Sequence, residues 1–69
     1  MEVKVGKYYI DGNGIIRYID NFDPDFFWHY MSIEGRSYTK YGVHTIDLSD
    51  SKHNLVKEIT KEDYPEYFL

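Results

Sequence analysis

The chain has 69 residues, no cysteine, and twelve acidic against eight basic residues, for a formal net charge of −4. Disulfide staples and thiolate metal ligands are therefore excluded, and direct binding to nucleic acid is disfavoured because phosphate contacts need clustered cations. At this length folding buries only about 60% of the surface of the unfolded chain, so residues 1–69 are expected to form one small domain.

The composition favours strands over helices. Alanine and glutamine are absent, whereas Tyr, Ile, Val and Thr are frequent, and these frequent residues favour strands. No apolar run approaches the roughly 20 residues that a membrane span needs, and the first residues lack the pattern of a signal peptide. We therefore expect an all-β protein that is soluble and cytoplasmic, with no membrane partner.

The first predicted elements form a hairpin. Residues 7–10 predict a strand, and the sequence D-G-N-G at 11–14 tolerates the positive φ angles of a tight turn. Residues 15–19 predict the returning strand, with apolar side chains on both faces, which is typical of a central strand. Residues 20–25, D-N-F-D-P-D, predict a loop, because Pro24 disfavours helix and the Asp side chains can hydrogen-bond a turn.

The most aromatic stretch, residues 26–33, predicts the third strand. Its strict alternation divides the side chains between two faces, with Phe26, Trp28 and Tyr30 on one and Phe27, His29, Met31 and Ile33 on the other. Neither face is polar. One of them must therefore be covered by another part of the chain or offered to a partner.

Three further segments complete the predicted sheet. Residues 37–41 predict a fourth strand, residues 43–48 continue the sheet, and residues 55–59 predict the last strand after a polar turn at 49–54. The pattern at 60–63 is that of a capping box with Asp in its last position, and the proline that follows permits a short C-terminal helical turn. Such a turn would return the last aromatic residues to the sheet.

Five short strands and tight turns favour a small, strongly bent antiparallel barrel. The sequence V-G-K-Y-Y-I-D-G-N-G-I-I-R-Y-I at 5–19 resembles the opening hairpin of SH3-like small barrels, over roughly residues 3–20. Many such barrels are short accessory proteins of phages and prophages of AT-rich bacteria, whose Lys, Tyr, Ile and Asn bias is similar. The resemblance implies a five-stranded SH3-like barrel and a phage-encoded modulator or inhibitor of a host protein.

The polar residues show no pattern that indicates catalysis or metal binding. His29, His44 and His53 are fifteen and nine residues apart and lie on different predicted elements, which is not a ligand spacing. The Asp residues at 20–25 lack the Gly and Glu of a calcium loop and are interpreted as turn residues. A barrel of this size has a filled interior with little room for a cleft. We therefore expect no enzymatic activity, no cofactor and no metal.

The aromatic surplus supports two interpretations. In the first, the rings form a groove that binds a partner protein, as in peptide-binding SH3 domains. The predicted anchors of that groove are Trp28, Tyr30, Tyr38, Tyr41 and Tyr8. In the second, the rings fill a core that has no disulfides, and the C-terminal aromatic residues close the sheet. The first interpretation gives the predicted function, a non-enzymatic module that binds a host protein.

Three alternatives stay open. In the first, an acidic patch would mimic DNA phosphates, and the protein would inhibit a nucleic-acid-binding enzyme. A solvated acidic surface is the simpler interpretation of the same residues. Its residues are Asp20, Asp23, Asp25, Asp47 and Asp50. Stacked aromatic residues are also typical of single-strand nucleic-acid binders, but the chain lacks their basic track. A homodimer is the third alternative, since an apolar strand edge pairs readily with its own copy.

Overall fold

The computed structural model of the protein describes residues 1–44 and 48–68, with residues 48–50 described by their backbone alone. The strands are β1 (Tyr8–Asp11), β2 (Ile16–Phe22), β3 (Tyr30–Ser32), β4 (Ser37–Tyr38) and β5 (Leu55–Glu58). Two 3-10 helices, Leu48–His53 and Pro65–Tyr67, are the only helical segments in this part of the chain. Over the same residues, no helix is long and apolar enough to cross a membrane.

All five strands belong to one antiparallel sheet in the order β4-β3-β2-β1-β5. The register shifts in β1 between Ile10 and Asp11 and in β2 between Ile19 and Asn21. Such irregularities bend a strand and increase its twist, and the sheet is curled into a half-barrel. The predicted all-β fold with five antiparallel strands is confirmed, while the SH3-like identity stays a prediction.

The segment after β4 brings the two edges of the half-barrel together. The N–H of Val3 donates to the carbonyl of Lys40 (2.7 Å), and the N–H of Leu55 donates to the carbonyl of Gly42 (2.8 Å). Gly42 has a φ of 83°, and a Cβ atom at this position would lie 2.9 Å from Cβ of Leu55. A larger residue would therefore strain the backbone and displace the start of β5.

The β1–β2 hairpin forms at the predicted D-G-N-G turn. Oδ1 of Asp11 accepts the N–H groups of Asn13 and Ile15, both at 2.9 Å, and the N–H of Gly14 donates to the Asp11 carbonyl (3.0 Å). Gly14 has a φ of 80°, a value that glycine adopts without strain. The Asp side chain and the glycine together fix the turn.

The predicted third strand at residues 26–33 is confirmed only over Tyr30–Ser32, which pairs as β3, and its first four residues do not belong to a strand. The N–H of Asp25 donates to Oδ1 of Asp23 (2.9 Å), and the N–H of Asp23 donates to the carbonyl of His29 (2.8 Å). These bonds close residues 23–29 into a loop between β2 and β3. The alternating rings of this segment therefore lie mostly on a loop, where alternation does not assign faces.

The region after β4 also differs from the prediction. The predicted fourth strand at 37–41 ends at Tyr38, because the N–H of Gly42 donates to the carbonyl of Thr39 (2.9 Å) and closes a turn. Within the predicted sheet segment at 43–48, residues 45–47 lie outside the described residues and Leu48 begins a 3-10 helix. The predicted last strand at 55–59 is confirmed as β5 to within one residue.

The core is a cluster of buried side chains, Val3, Tyr9, Ile19, Tyr38 and Leu55, and Ile59 is also buried. Tyr9 and Tyr38 are both fully buried. The N–H of Lys4 donates to the Tyr9 hydroxyl (2.8 Å), whereas the Tyr38 hydroxyl forms no hydrogen bond within the described part of the chain. Burial raises the pKa of Tyr9, and it raises the pKa of Tyr38 to about 12.

The C-terminal segment returns to the sheet as predicted. The N–H of Tyr64 donates to the carbonyl of Thr60 (2.9 Å), and the 3-10 helix Pro65–Tyr67 follows. The rings of Tyr67 and Phe68 lie 5.8 and 5.3 Å from that of Tyr8, which itself lies 4.7 Å from the ring of Tyr18. We call these four rings the tail cluster. They cover the β1–β2 face that points away from the core.

Candidate functional site

The loop between β2 and β3 displays three aromatic rings, and we call residues 23–29 the aromatic loop. Phe27 is 74% exposed and Phe26 is 43% exposed, while Trp28 is half-buried. The Trp28 ring lies 4.9 Å from the ring of Phe27 and 5.8 Å from that of Phe26. The three rings therefore form a single apolar ridge.

One cleft opens on the Phe26 side of Trp28, with a volume of about 580 Å³. Arg17, Arg36, Glu34 and His44 line it together with the two rings. We call it the arginine cleft. The chain has only two arginines, and β2 and the turn before β4 bring both of them to this place.

A second cleft, of about 660 Å³, opens on the Phe27 side of Trp28. The turn after β4 forms its other wall, with Thr39, Lys40, Tyr41 and Val43. Nζ of Lys40 lies 5.1 Å from the centre of the Tyr41 ring, within the range of a cation–π contact. We call this the tyrosine cleft, and Trp28 is the wall that it shares with the arginine cleft.

Arg17 is held by two carboxylates. Its Nε lies 3.5 Å from Oδ2 of Asp11, and its Nη1 lies 3.4 Å from Oε1 of Glu34. The Asp11 side chain is fully buried and that of Arg17 is 11% exposed, so water screens the first pair little. Asp11 thus joins the hairpin turn, through hydrogen bonds to Oδ1, to the wall of the arginine cleft, through an ion pair of Oδ2 that is not a hydrogen bond within the described part of the chain.

Arg36 contacts a neutral acceptor. Its Nη1 lies 3.3 Å from Nε2 of His44, and Nδ1 of His44 lies 2.9 Å from the carbonyl of Ser37. A carbonyl only accepts, so Nδ1 carries the proton and Nε2 accepts from the guanidinium. The N–H of His44 also donates to Oδ1 of Asn54 (2.7 Å). Both ring nitrogens of His44 are therefore engaged.

The structure separates the five predicted anchors into three groups. Trp28 and Tyr41 meet at the tyrosine cleft, and Tyr41 is 60% exposed. Tyr30 packs against the core and Tyr38 has no exposed surface. Tyr8 lies in the tail cluster.

Most residues that line the clefts were not among the predicted anchors, and these include Phe26, Phe27, Arg17 and Arg36. The two phenylalanines follow the D-P-D turn at 23–25, which indicates a loop, but their alternation with the neighbouring residues also predicts a strand. For the arginines the sequence holds no such signal, because they are nineteen positions apart.

The predicted acidic patch is described only in part. Asp20 and Asp25 are exposed, and Oδ1 of Asp23 accepts a hydrogen bond within the turn. Asp47 lies outside the described residues, and the side chain of Asp50 does as well. Among the described side chains, no group of three or more His, Asp or Glu residues could hold a metal ion.

Fold and surface together define a small antiparallel half-barrel that carries two clefts on either side of one tryptophan. No protein-family model, curated protein or solved structure matches the chain. The function is therefore argued from the geometry of the aromatic loop and its clefts.

Proposed function

We propose that the protein is a non-catalytic module that binds an extended segment of another protein across the aromatic loop. The observation that carries this proposal is the position of Trp28, which walls two clefts while the adjacent Phe27 is 74% exposed. Large exposed apolar patches mark interaction sites on soluble proteins. Aromatic anchors in such patches contribute most of the binding energy of typical interfaces.

The two clefts are large enough to accept side chains of an extended segment, and they share Trp28 as a wall. Their volumes, about 580 and 660 Å³, fall within the roughly 300–1,000 Å³ of ordinary ligand pockets. Side chains two positions apart in an extended chain lie on the same side and about 7 Å apart. Under this proposal, two such side chains of one segment occupy the two clefts, with the indole of Trp28 between them.

The aromatic loop is held in shape before any partner arrives. The hydrogen bonds of Asp23 to Asp25 and to His29 close its base, and the contacts of Trp28 with Phe26 and Phe27 order its tip. A preformed surface loses less conformational entropy on binding than a flexible one. The loop is therefore well suited to give useful affinity from a small contact area.

The polar groups of the arginine cleft support binding rather than catalysis. Both ring nitrogens of His44 are engaged, so this histidine is not a free general base. Arg17 is held by two carboxylates. The resemblance to phage accessory proteins implies that the partner is a host protein, and the proposal adopts this partner.

The test compares two substitutions that give the same residue at two exposed apolar positions. Phe27→Thr removes a ring from the aromatic loop, and Val56→Thr, at a position 61% exposed on β5, is the matched control. A protein captured from host lysate by the wild type is purified, and its affinity for all three forms is measured by calorimetry. Phe27→Thr is expected to weaken binding by about 30-fold, or about 2 kcal/mol.

Equal affinities of Phe27→Thr and wild type for the purified partner would contradict the proposal. Trp28→Ala gives a second, larger change, with an expected loss of about 2–4 kcal/mol of binding free energy. Its circular dichroism spectrum and unfolding curve show whether the loss comes from the surface or from unfolding. Binding retained by a folded Trp28→Ala protein would place the site elsewhere.

A further inference from the structure

The arginine cleft concentrates a type of side chain that the rest of the sequence lacks. The chain carries six lysines and two arginines, and both arginines line this one cleft. Arginine differs from lysine in its planar fork of five N–H donors, which matches a carboxylate with two parallel hydrogen bonds. The cleft thus holds two groups suited to binding a planar anion.

Arg17 is already paired with two carboxylates of the chain. Asp11 and Glu34 lie at ion-pair distance from it, and Asp11 is further fixed by two backbone N–H groups. Displacing Asp11, whose side chain is fully buried, would leave a buried charge unpaired, which is costly. Arg17 is therefore part of the cleft wall and is not the group that receives a ligand.

Arg36 is in the opposite situation. Its contact with His44 uses one guanidinium nitrogen and a neutral acceptor, and no carboxylate among the described side chains forms an ion pair with it. Two hydrogen bonds with Ser32 fix the backbone of Arg36. Its N–H donates to Oγ of Ser32 (3.2 Å), and its carbonyl accepts the N–H of Ser32 (2.8 Å). The guanidinium keeps further donors for a partner group.

We propose that Arg36 receives one carboxylate of the bound segment, while a neighbouring apolar side chain of that segment packs on Trp28. This inference rests on the proposed function and specifies its partner as a segment with an isolated carboxylate. A polyanion is disfavoured, because Glu34 lines the same cleft, Asp23 and Asp25 lie at the base of the aromatic loop, and the chain carries a net charge of −4.

The local charges also predict how salt acts on this contact. The cations Arg17 and Arg36 and the anions Asp11 and Glu34 balance, so the cleft exerts little long-range attraction on an anion. Binding depends on short, directional hydrogen bonds to the guanidinium. The affinity is therefore expected to change little between low and high salt, unlike that of an acidic mimic for a basic groove.

The test uses two small probes that differ in one group, 3-phenylpropionate and its uncharged amide, 3-phenylpropionamide. Titrations followed through the N–H signals of Trp28 and Arg36 in two-dimensional NMR spectra are expected to show about fivefold tighter binding of the carboxylate. Arg36→Gln should abolish this preference. Lys57→Gln, which removes an exposed cation on β5 that lines neither cleft, is the matched control and should preserve it.

Equal binding of the two probes to the wild type, or a preference that survives Arg36→Gln, would overturn the inference. If Arg36→Gln does not fold, Arg36→Lys keeps the charge without the planar fork, and it should reduce the preference. An unchanged preference in Arg36→Lys would count against the bidentate contact that the inference requires.

Two peptide probes distinguish the sources of the carboxylate. Acetyl-Leu-Leu with a free C-terminal carboxylate represents a chain end, and acetyl-Leu-Asp-Leu-amide represents an acidic side chain. Tighter binding of either one supports the inference and assigns its source, whereas no gain over acetyl-Leu-Leu-amide overturns it. With the purified partner, loss of binding in Phe27→Thr but not in Arg36→Gln would retain the proposed function and reject the carboxylate contact.

Discussion

The tail cluster and the aromatic loop are both built from rings that lie outside the small core, but they differ in what surrounds them. In the tail cluster, Tyr67 and Phe68 return along the chain to pack on Tyr8. In the aromatic loop, Phe27 keeps 74% of its surface exposed. Aromatic residues therefore pack on the sheet at one place, and at the other they leave one ring mostly exposed.

The largest expected loss of stability comes from removing the central ring of the tail cluster. Tyr8→Ala removes the ring that Tyr18, Tyr67 and Phe68 contact, and it should lower the free energy of unfolding by about 2–3 kcal/mol, less than for a fully buried ring. Urea unfolding followed by circular dichroism measures the change. A Tyr8→Ala protein as stable as the wild type would show that the C-terminal rings do not stabilise the sheet.

The second prediction applies the same measurement to the aromatic loop. Phe27→Thr should change the free energy of unfolding by no more than about 0.5 kcal/mol, because the ring is mostly exposed, although its loss weakens partner binding by about 30-fold. A loss of unfolding free energy in Tyr8→Ala but not in Phe27→Thr would show that the tail cluster stabilises the fold and that the Phe27 ring does not. A destabilisation by Phe27→Thr as large as that of Tyr8→Ala would remove the distinction between the two regions.

The third prediction extends the comparison to the two tyrosines of the core. Tyr9→Phe removes a hydroxyl that accepts the N–H of Lys4, and it should cost about 1 kcal/mol of stability. Tyr38→Phe removes a buried hydroxyl that makes no hydrogen bond in the described part of the chain, so its stability should equal or exceed that of the wild type. Urea unfolding measures the stability of both variants. A Tyr38→Phe protein less stable than Tyr9→Phe would refute this account of the core.

The smallest effect concerns pH. Burial raises the pKa of Tyr9 and raises that of Tyr38 to about 12, against an ordinary value near 10. A raised pKa in the folded state stabilises the protein below the unfolded value, and this contribution is lost as pH rises through the folded value. Stability should therefore fall above about pH 10, and Tyr38→Phe should make the decline shallower. If the stability of Tyr38→Phe fell as steeply with pH as that of the wild type, ionisation of Tyr38 would not be a cause of the decline.

The sequence predicted best the features that depend on residues close together in the chain. The D-G-N-G turn formed because Asp11 and Gly14 fix it locally. The C-terminal turn formed at Thr60 and Pro65 for the same reason. Five antiparallel strands followed from strand-forming residues separated by turns.

The clefts were not predicted, because they depend on contacts between distant residues. Alternation from Phe26 to Ile33 predicted a strand, but a loop with alternating rings has the same pattern, and the bonds of Asp23 decide between them. Tyr38 and Tyr41 also look alike in the sequence. The first is fully buried and the second is 60% exposed, because β4 ends between them and the chain turns away from the core.

Because one indole divides the two clefts, their capacities are linked. Both clefts are lined by the same ring, so a rotation of Trp28 would change the space on both sides. Under the proposed function, a bulky side chain in one cleft would then favour a slimmer one in the other. As the chain's only tryptophan, this ring also provides a built-in fluorescent reporter for occupancy of either cleft.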